Sequence, residues 1–229
     1  MSPGPVETPH PDDDPVGLAT WRRRIADLYA DVRRAPEDGI ETAWQRWVAG
    51  REALFREHPQ SPLPAAARAG FRARHWPYDP ALRFHVAVER DGPDGSGAEP
   101  GTGLALPVSD GATMSFTRVG SLGIPFAAGA RRLALYWMAG YAGGFFLPFR
   151  DATNGTETYG AGRYLLDAAK SADLGADGDG RLVLDFNFAY QPSCAFDPRW
   201  ACPLAPPENR LDIAIRAGER IAGAGERGA

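Results

Sequence analysis

The sequence predicts a mainly β, α+β protein: an antiparallel β-barrel or sandwich preceded by two amphipathic helices. Three observations carry this. Apolar residues recur at helical spacing from Leu18 to Phe55. After Tyr78 the apolar period falls from 3.6 to 2. Beyond residue 100, short apolar runs are separated by turn residues with no strand–helix alternation, which argues against a doubly wound nucleotide fold. At 229 residues one domain is expected, with a core large enough to need no staple.

Residues 1–16, rich in proline and acidic side chains, read as a disordered tail. A helical pair over 17–58 follows. Leu18, Trp21, Ile25, Leu28 and Val32 mark the first helix, and Pro36 ends it or starts the next. Ile40, Trp44, Trp47, Val48, Leu54 and Phe55 mark the second, stopped by Pro59, Pro62 and Pro64. A β-rich domain over 59–220 comes next, beginning with a possible helical turn at Ala65–Ala69. Its first strand alternates through Leu82, Phe84, Val86 and Val88. Asp91–Pro100 is a loop. Further strands are expected at Leu104–Val108, Thr113–Val119, Arg131–Met138, Gly144–Phe149, Thr158–Leu166, Arg181–Phe188 and Leu211–Arg216. Residues 221–229 are small and polar and read as a frayed end.

Composition narrows the function. A net charge of −4 argues against nucleic acid as the main partner. No apolar run reaches the length of a membrane span, and no secretory pattern opens the chain, so the expectation is a cytoplasmic protein with no membrane partner. Of 25 basic residues only Lys170 is a lysine, so any Schiff-base or phosphate-loop lysine would have to be Lys170, and no Walker motif surrounds it. No GxSxG, HExxH or CxxC motif occurs. The histidines show no paired spacing and Cys194 and Cys202 lie far apart for a zinc pair, so neither metal nor cofactor is expected. The cysteines read as two buried thiols, with a disulfide-closed loop as the alternative.

Chemistry-bearing side chains gather between Arg150 and Asn209. Asp151 to Tyr159 joins two strands; Asn154-Gly155 supplies a turn, and the carboxylates and hydroxyls either bond the local backbone or rim a pocket. Arg163 falls within a strand, where a buried guanidinium needs an acidic or anionic partner. Val183, Asp185 and Asn187 share one strand face, which is either solvated or turned inward with Asp185 towards Arg163.

The blocks DATNGTETYGAGRYL and LVLDFNFAYQPSCAFDPRWACPLAPPENRLDIAIRAGER, with the earlier REALFREHPQSPLPAAARAGF, resemble the uncharacterised bacterial and archaeal domain-of-unknown-function family 1684 over Arg51–Arg220. The family's usual Tyr-Asn-Pro reads Tyr190-Gln191-Pro192 here. The resemblance implies a shared cluster between Asp151 and Asn209 and brings no activity with it.

These readings converge on a small-molecule-binding β-domain whose polar pocket holds an anionic or carboxylate-bearing ligand. Arg163 is the expected anion anchor, with Tyr159, Tyr164, Asp185, Asn187, Tyr190, Glu208 and Asn209 as pocket groups. One alternative is a hydrolase or lyase using two of Asp151, Glu157, Asp185 and Glu208 as acid and base. The other is a structural or interaction protein in which the cluster is a buried hydrogen-bond network.

Overall fold

The computed structural model describes residues 14–90, 103–107, 109, 111–138 and 143–221. The expected loop at 91–100 and the frayed end from 222 onward lie outside the described residues, as does the tail as far as residue 13. Helix α1 spans Pro15–Arg34, so the tail expected to reach Val16 gives way to helix two residues earlier. The Asp14 carboxylate accepts from the Gly17 amide and Pro15 occupies the first turn, where its missing N–H costs nothing. Helix α2 spans Ile40–Glu57 and ends as His58-Pro59 leaves the helical region. Their apolar stripes meet, burying Trp21, Ile25 and Tyr29 with Trp44, Trp47 and Phe55. A single helical turn, α3 (Ala65–Arg68), follows the prolines.

The strands are β1 (Arg83–Val86), β2 (Val88–Arg90), β3 (Gly103–Pro107), β4 (Thr113–Ile124), β5 (Arg131–Met138), β6 (Gly144–Phe149), β7 (Arg163–Asp167) and β8 (Leu182–Asp185). All pairings between them are antiparallel. One sheet runs β2–β4–β5–β6–β7, with β3 on the first half of β4 and β2 on its second half. A second, two-stranded sheet pairs β1 with β8. Strands β2 and β3 at one edge do not pair with β7 at the other, so the expected barrel is an open sheet.

The second half of β4, the centre of β5, and β6 and β7 are buried on both faces, and the period-two alternation sorts their side chains between two cores. Ala134 and Tyr136 of β5, Phe146 of β6 and Tyr164 of β7 join the helical core through Phe188 and Tyr190. Leu133, Leu135, Leu147, Phe149 and Leu165 face the other core, with Leu182 and Leu184 of β8, Leu211 and Ile215. Layers of this kind bury enough apolar surface to outweigh chain entropy.

Several expected strands differ. The first, expected as one strand through Leu82, Phe84, Val86 and Val88, breaks at Ala87 into β1 and β2, which join different sheets. The stretch expected from Thr158 becomes strand only at Arg163, because the residues before it form a hydrogen-bonded turn. The stretch expected to Phe188 leaves the strand after Asp185, whose carboxylate accepts from the Asn187 amide and starts a 3₁₀ turn over Phe186–Phe188. Residues 211–221 form no strand; they run as a strap across the sheet ends.

Asn209 shows why the strap lies where it does. The β5–β6 pairing ends at Tyr136 and Phe146; continuing its register by two residues would set Ala134 opposite Pro148, which has no amide hydrogen to donate. The Asn209 side chain substitutes for it. Its Oδ1 accepts from the Ala134 amide at 2.7 Å, and its Nδ2 donates to the carbonyls of Ala134 (2.9 Å) and Pro148 (2.7 Å). Asn209→Ala orphans a buried amide and weakens the bonding of two carbonyls, so a stability loss of about 3 kcal/mol or more is expected in urea unfolding. A loss below about 0.5 kcal/mol, the scale of a featureless surface change, contradicts this role.

Candidate functional site

Arg163 opens β7 and is fully buried. Its Nη2 donates to Asp151 Oδ2 at 2.8 Å and to the Ile215 carbonyl at 2.7 Å. Its Nη1 donates to the carbonyls of Ala217 and, at 3.3 Å, Glu219. The chain reaches this position through Gly162, whose φ of 108° and close approach to the Phe149 carbonyl leave no room for a Cβ. Asp151 Oδ1 accepts from the Thr153 amide and hydroxyl at 2.7 and 2.5 Å, and Thr153 meets the Thr158 hydroxyl at 2.9 Å. Both terminal nitrogens of Arg163 are thus met by the protein itself, while its Nε is buried without an acceptor.

Asp185 sits elsewhere. It accepts from the Tyr78 hydroxyl at 3.0 Å and Arg83 Nη1 at 3.2 Å through Oδ2, and from Asn187 through Oδ1. The expected approach of Asp185 to Arg163 is not made: Arg83, directly across the β1–β8 ladder from Asp185, takes that place. Burial raises the Asp185 pKa, against the lowering pull of Asn187, Tyr78 and Arg83.

The other anticipated pocket groups are dispersed. Asn187 Nδ2 donates to the Asp79 carbonyl and its Oδ1 accepts from the Asp79 amide. Tyr190 donates to Asp167 Oδ2 at 2.7 Å, and Tyr164 to the Pro203 carbonyl. Asn209 completes the β5–β6 ladder. Exposed Glu208 accepts from the Tyr136 hydroxyl at 2.6 Å, and Glu157 pairs with Arg216 at 3.0 Å. Tyr159 lies beside Cys194 and its amide donates to Gln191 Oε1 at 3.1 Å. The four carboxylates considered as acid and base thus hold separate partners. Among the described residues no three His, Cys, Asp or Glu side chains gather as a metal site.

A different concavity carries unanswered charge. A groove of about 420 Å³ opens between the chain after α3 and the strap. Leu63, Phe71 and Phe196 supply apolar wall, and Arg72, Arg74 and Arg220 supply guanidinium groups. Arg72 and Arg220 have no carboxylate partner among the described residues, and Arg220 Nε is buried without an acceptor. Glu219 and Gln191 line the same groove. Glu219 is itself neutralised: its Oε2 accepts from Arg51 Nη2 at 3.0 Å and from the Gln191 amide at 2.8 Å. Sequence reasoning missed Arg51, Arg72, Arg74, Gln191, Glu219 and Arg220. Arg51 did leave a signal, a charge on the apolar stripe of α2 between Trp47 and Phe55. The others lie in irregular chain with no periodicity to betray them.

The model of a protein family of unknown function, DUF1684, matches residues 71–220. The chain belongs to the DUF1684 family. The matched span begins at Phe71, after both helices, rather than at Arg51. A solution NMR structure of an uncharacterized protein from Haloarcula marismortui is 32% identical, covers 80% of this chain and 95% of its own, and superposes with a TM-score of 0.57. No curated protein matches. The DUF1684 span thus contains the sheet, the strap and most of the groove, while Arg51 comes from the helical pair preceding it.

One buried group in this DUF1684 chain sets a pH dependence. Both His75 ring nitrogens are shielded and unpartnered, and the ring lies edge-on to Trp44 and Trp47. Burial lowers its pKa to about 4, against the upward pull of Glu219. The unfolded ring takes its proton near 6.5, so between these values the unfolded state binds more protons. The contribution is complete above pH 6.5 and is lost as pH falls towards 4, by up to roughly 3 kcal/mol. His75→Phe is expected to flatten the dependence of urea stability on pH across that window. An unchanged slope contradicts the assignment.

Proposed function

We propose that this chain binds a small molecule bearing a carboxylate or another compact anionic group in the groove between Phe71 and the strap. The observation that carries the reading is the pair of guanidinium groups, Arg72 and Arg220, which line an open groove of about 420 Å³ with no carboxylate partner among the described residues. A planar guanidinium fork matches a carboxylate or phosphate bidentately. The volume lies in the range of small-molecule sites, and Phe71, Phe196 and Leu63 offer the apolar surface such sites use for affinity. Arg51 cancels the charge of Glu219, which removes the nearest repulsion for an incoming anion. In this reading Arg72 and Arg220, rather than Arg163, are the anion anchors.

The buried network around Arg163, Asp185 and Asn209 supports a structural role for those residues, and this complements ligand binding in the groove. The separate partners of Asp151, Glu157, Asp185 and Glu208 lend no support to paired-carboxylate hydrolysis.

Isothermal titration with benzoate, hexanoate and phenyl phosphate tests the proposal. At least one probe is expected to bind the intact chain. Arg72→Ala with Arg220→Ala is expected to weaken that binding at least tenfold, since a hydrogen bond to a charged group contributes about 1.5–3 kcal/mol. Equal affinity in the double variant, or no binding of any probe, overturns the assignment.

A further inference from the structure

A small cavity lies beside the groove just described, between the helical pair and the chain around Lys170 and Tyr190, with Gln191 in both walls. Its volume is about 20 Å³. One water needs about 10–15 Å³, so the cavity admits a single water or an ion of similar size and excludes organic ligands. Three side chains lining it carry buried donors that make no hydrogen bond among the described residues: the Tyr29 hydroxyl, Trp47 Nε1 and Arg51 Nε. The Tyr29 ring stands edge-on to the Trp47 ring at 5.8 Å, and the Arg51 guanidinium carbon lies 5.9 Å from the Trp47 ring centre. Burial raises the Tyr29 pKa, against the pull of the Arg51 charge and the Trp47 indole, so the hydroxyl keeps its proton and remains a donor.

The wall is one-sided in charge. Arg51 and Lys170 line it, and no carboxylate among the described residues does. Arg51 meets Glu219 through Nη2, which leaves Nε without an acceptor. Lys170, the sole lysine, holds Ser193 Oγ at 3.1 Å and has no carboxylate partner among the described residues. Both cations lie against the Tyr190 ring, at 4.9 and 5.6 Å from its centre. Two side-chain acceptors in the wall are already engaged: Gln191 Oε1 takes the Tyr159 amide, and Ser193 Oγ takes the Lys170 ammonium. Buried donors left unmet are costly and call for a partner. A water accepts from two donors and brings two hydrogens that need acceptors of their own. A halide accepts from all three and brings none.

We propose that this cavity is a halide site, holding one chloride ion between Tyr29, Trp47 and Arg51, with Lys170 supplying further positive charge. The ion ties α1, through Tyr29, to α2, through Trp47 and Arg51. The unfolded chain has no such enclosure, so binding of the ion adds to the stability of the fold.

Urea unfolding of the full chain tests this, at constant ionic strength with sodium gluconate replaced stepwise by sodium chloride. Gluconate is too bulky for the cavity. Once chloride exceeds its dissociation constant, the unfolding constant is expected to fall about tenfold for each tenfold rise in chloride, the slope of one bound ion. Arg72→Ala with Arg220→Ala is expected to keep that response, which separates this site from the groove. Tyr29→Phe retains the ring and removes one donor, and is expected to weaken chloride binding at least tenfold. Equal stability in chloride and gluconate overturns the proposal. So does a chloride response that Tyr29→Phe leaves intact, or one that the double groove variant abolishes. Should Tyr29→Phe fail to fold, crystals of the unaltered chain grown with sodium bromide decide the matter. An anomalous bromide peak within hydrogen-bond reach of all three donors is expected, and a water or an empty cavity there contradicts the assignment.

Discussion

The fold depends on a buried guanidinium. Arg163 lies at the start of β7 with no solvent contact, where an unpaired charge costs several kcal/mol. Its Nη1 and Nη2 groups are met by one carboxylate and by carbonyls of Ile215, Ala217 and Glu219, and only Nε is left without an acceptor. The rings of Phe149 and Trp76 flank it at 5.2 and 5.5 Å. The polar surroundings that make this charge tolerable are supplied by chain far from it in sequence, so the strap and the sheet require each other.

From that clamp the connections run outward. The strap turns at Gly218, where positive φ and the nearby Ala189 carbonyl admit no side chain. This turn sets the Glu219 carboxylate against Arg51 of α2 and the Gln191 amide. Arg51 in turn lies over the rings of Phe55 and Tyr190 at 4.3 and 4.9 Å. Sheet, strap and helical pair are thus tied through two buried ion pairs in series. The next residue, Arg220, is carried into the groove, with its amide held by the Arg74 carbonyl. The groove's charge is consequently a by-product of the clamp's geometry: the turn that buries Glu219 carries the next residue, Arg220, to the groove wall.

Much of the fold was legible because it rests on periodicity. The stripe Leu18, Trp21, Ile25, Leu28, Val32 gives α1, and the alternation over Arg131–Met138 gives β5 within its observed bounds. What was illegible depends on which remote groups satisfy the backbone. Ile213 and Ile215 alternate as in a strand, yet Arg163 claims the Ile215 carbonyl that a ladder would need. The arginine-to-carboxylate pairing was equally hidden. Sequence offers Asp151 and Asp185 to Arg163 alike, and only the β1–β8 register, which sets Arg83 opposite Asp185, decides between them. The site residues singled out from sequence are real polar clusters, but their hydrogen bonds close within the chain. The open charge lies on Arg72 and Arg220, in segments with no regular structure and hence no pattern to read.

Hydrogen exchange on Arg163→Met tests the clamp most directly. In the intact chain the amides of Trp76, Glu219, Arg220 and Ile221 donate to carbonyls across the strap. With Arg163 replaced, these amides are predicted to lose most of their protection while those of the β4–β5 ladder keep theirs. Strap amides as protected as in the unaltered chain would show that something other than Arg163 holds the strap, and would contradict the account.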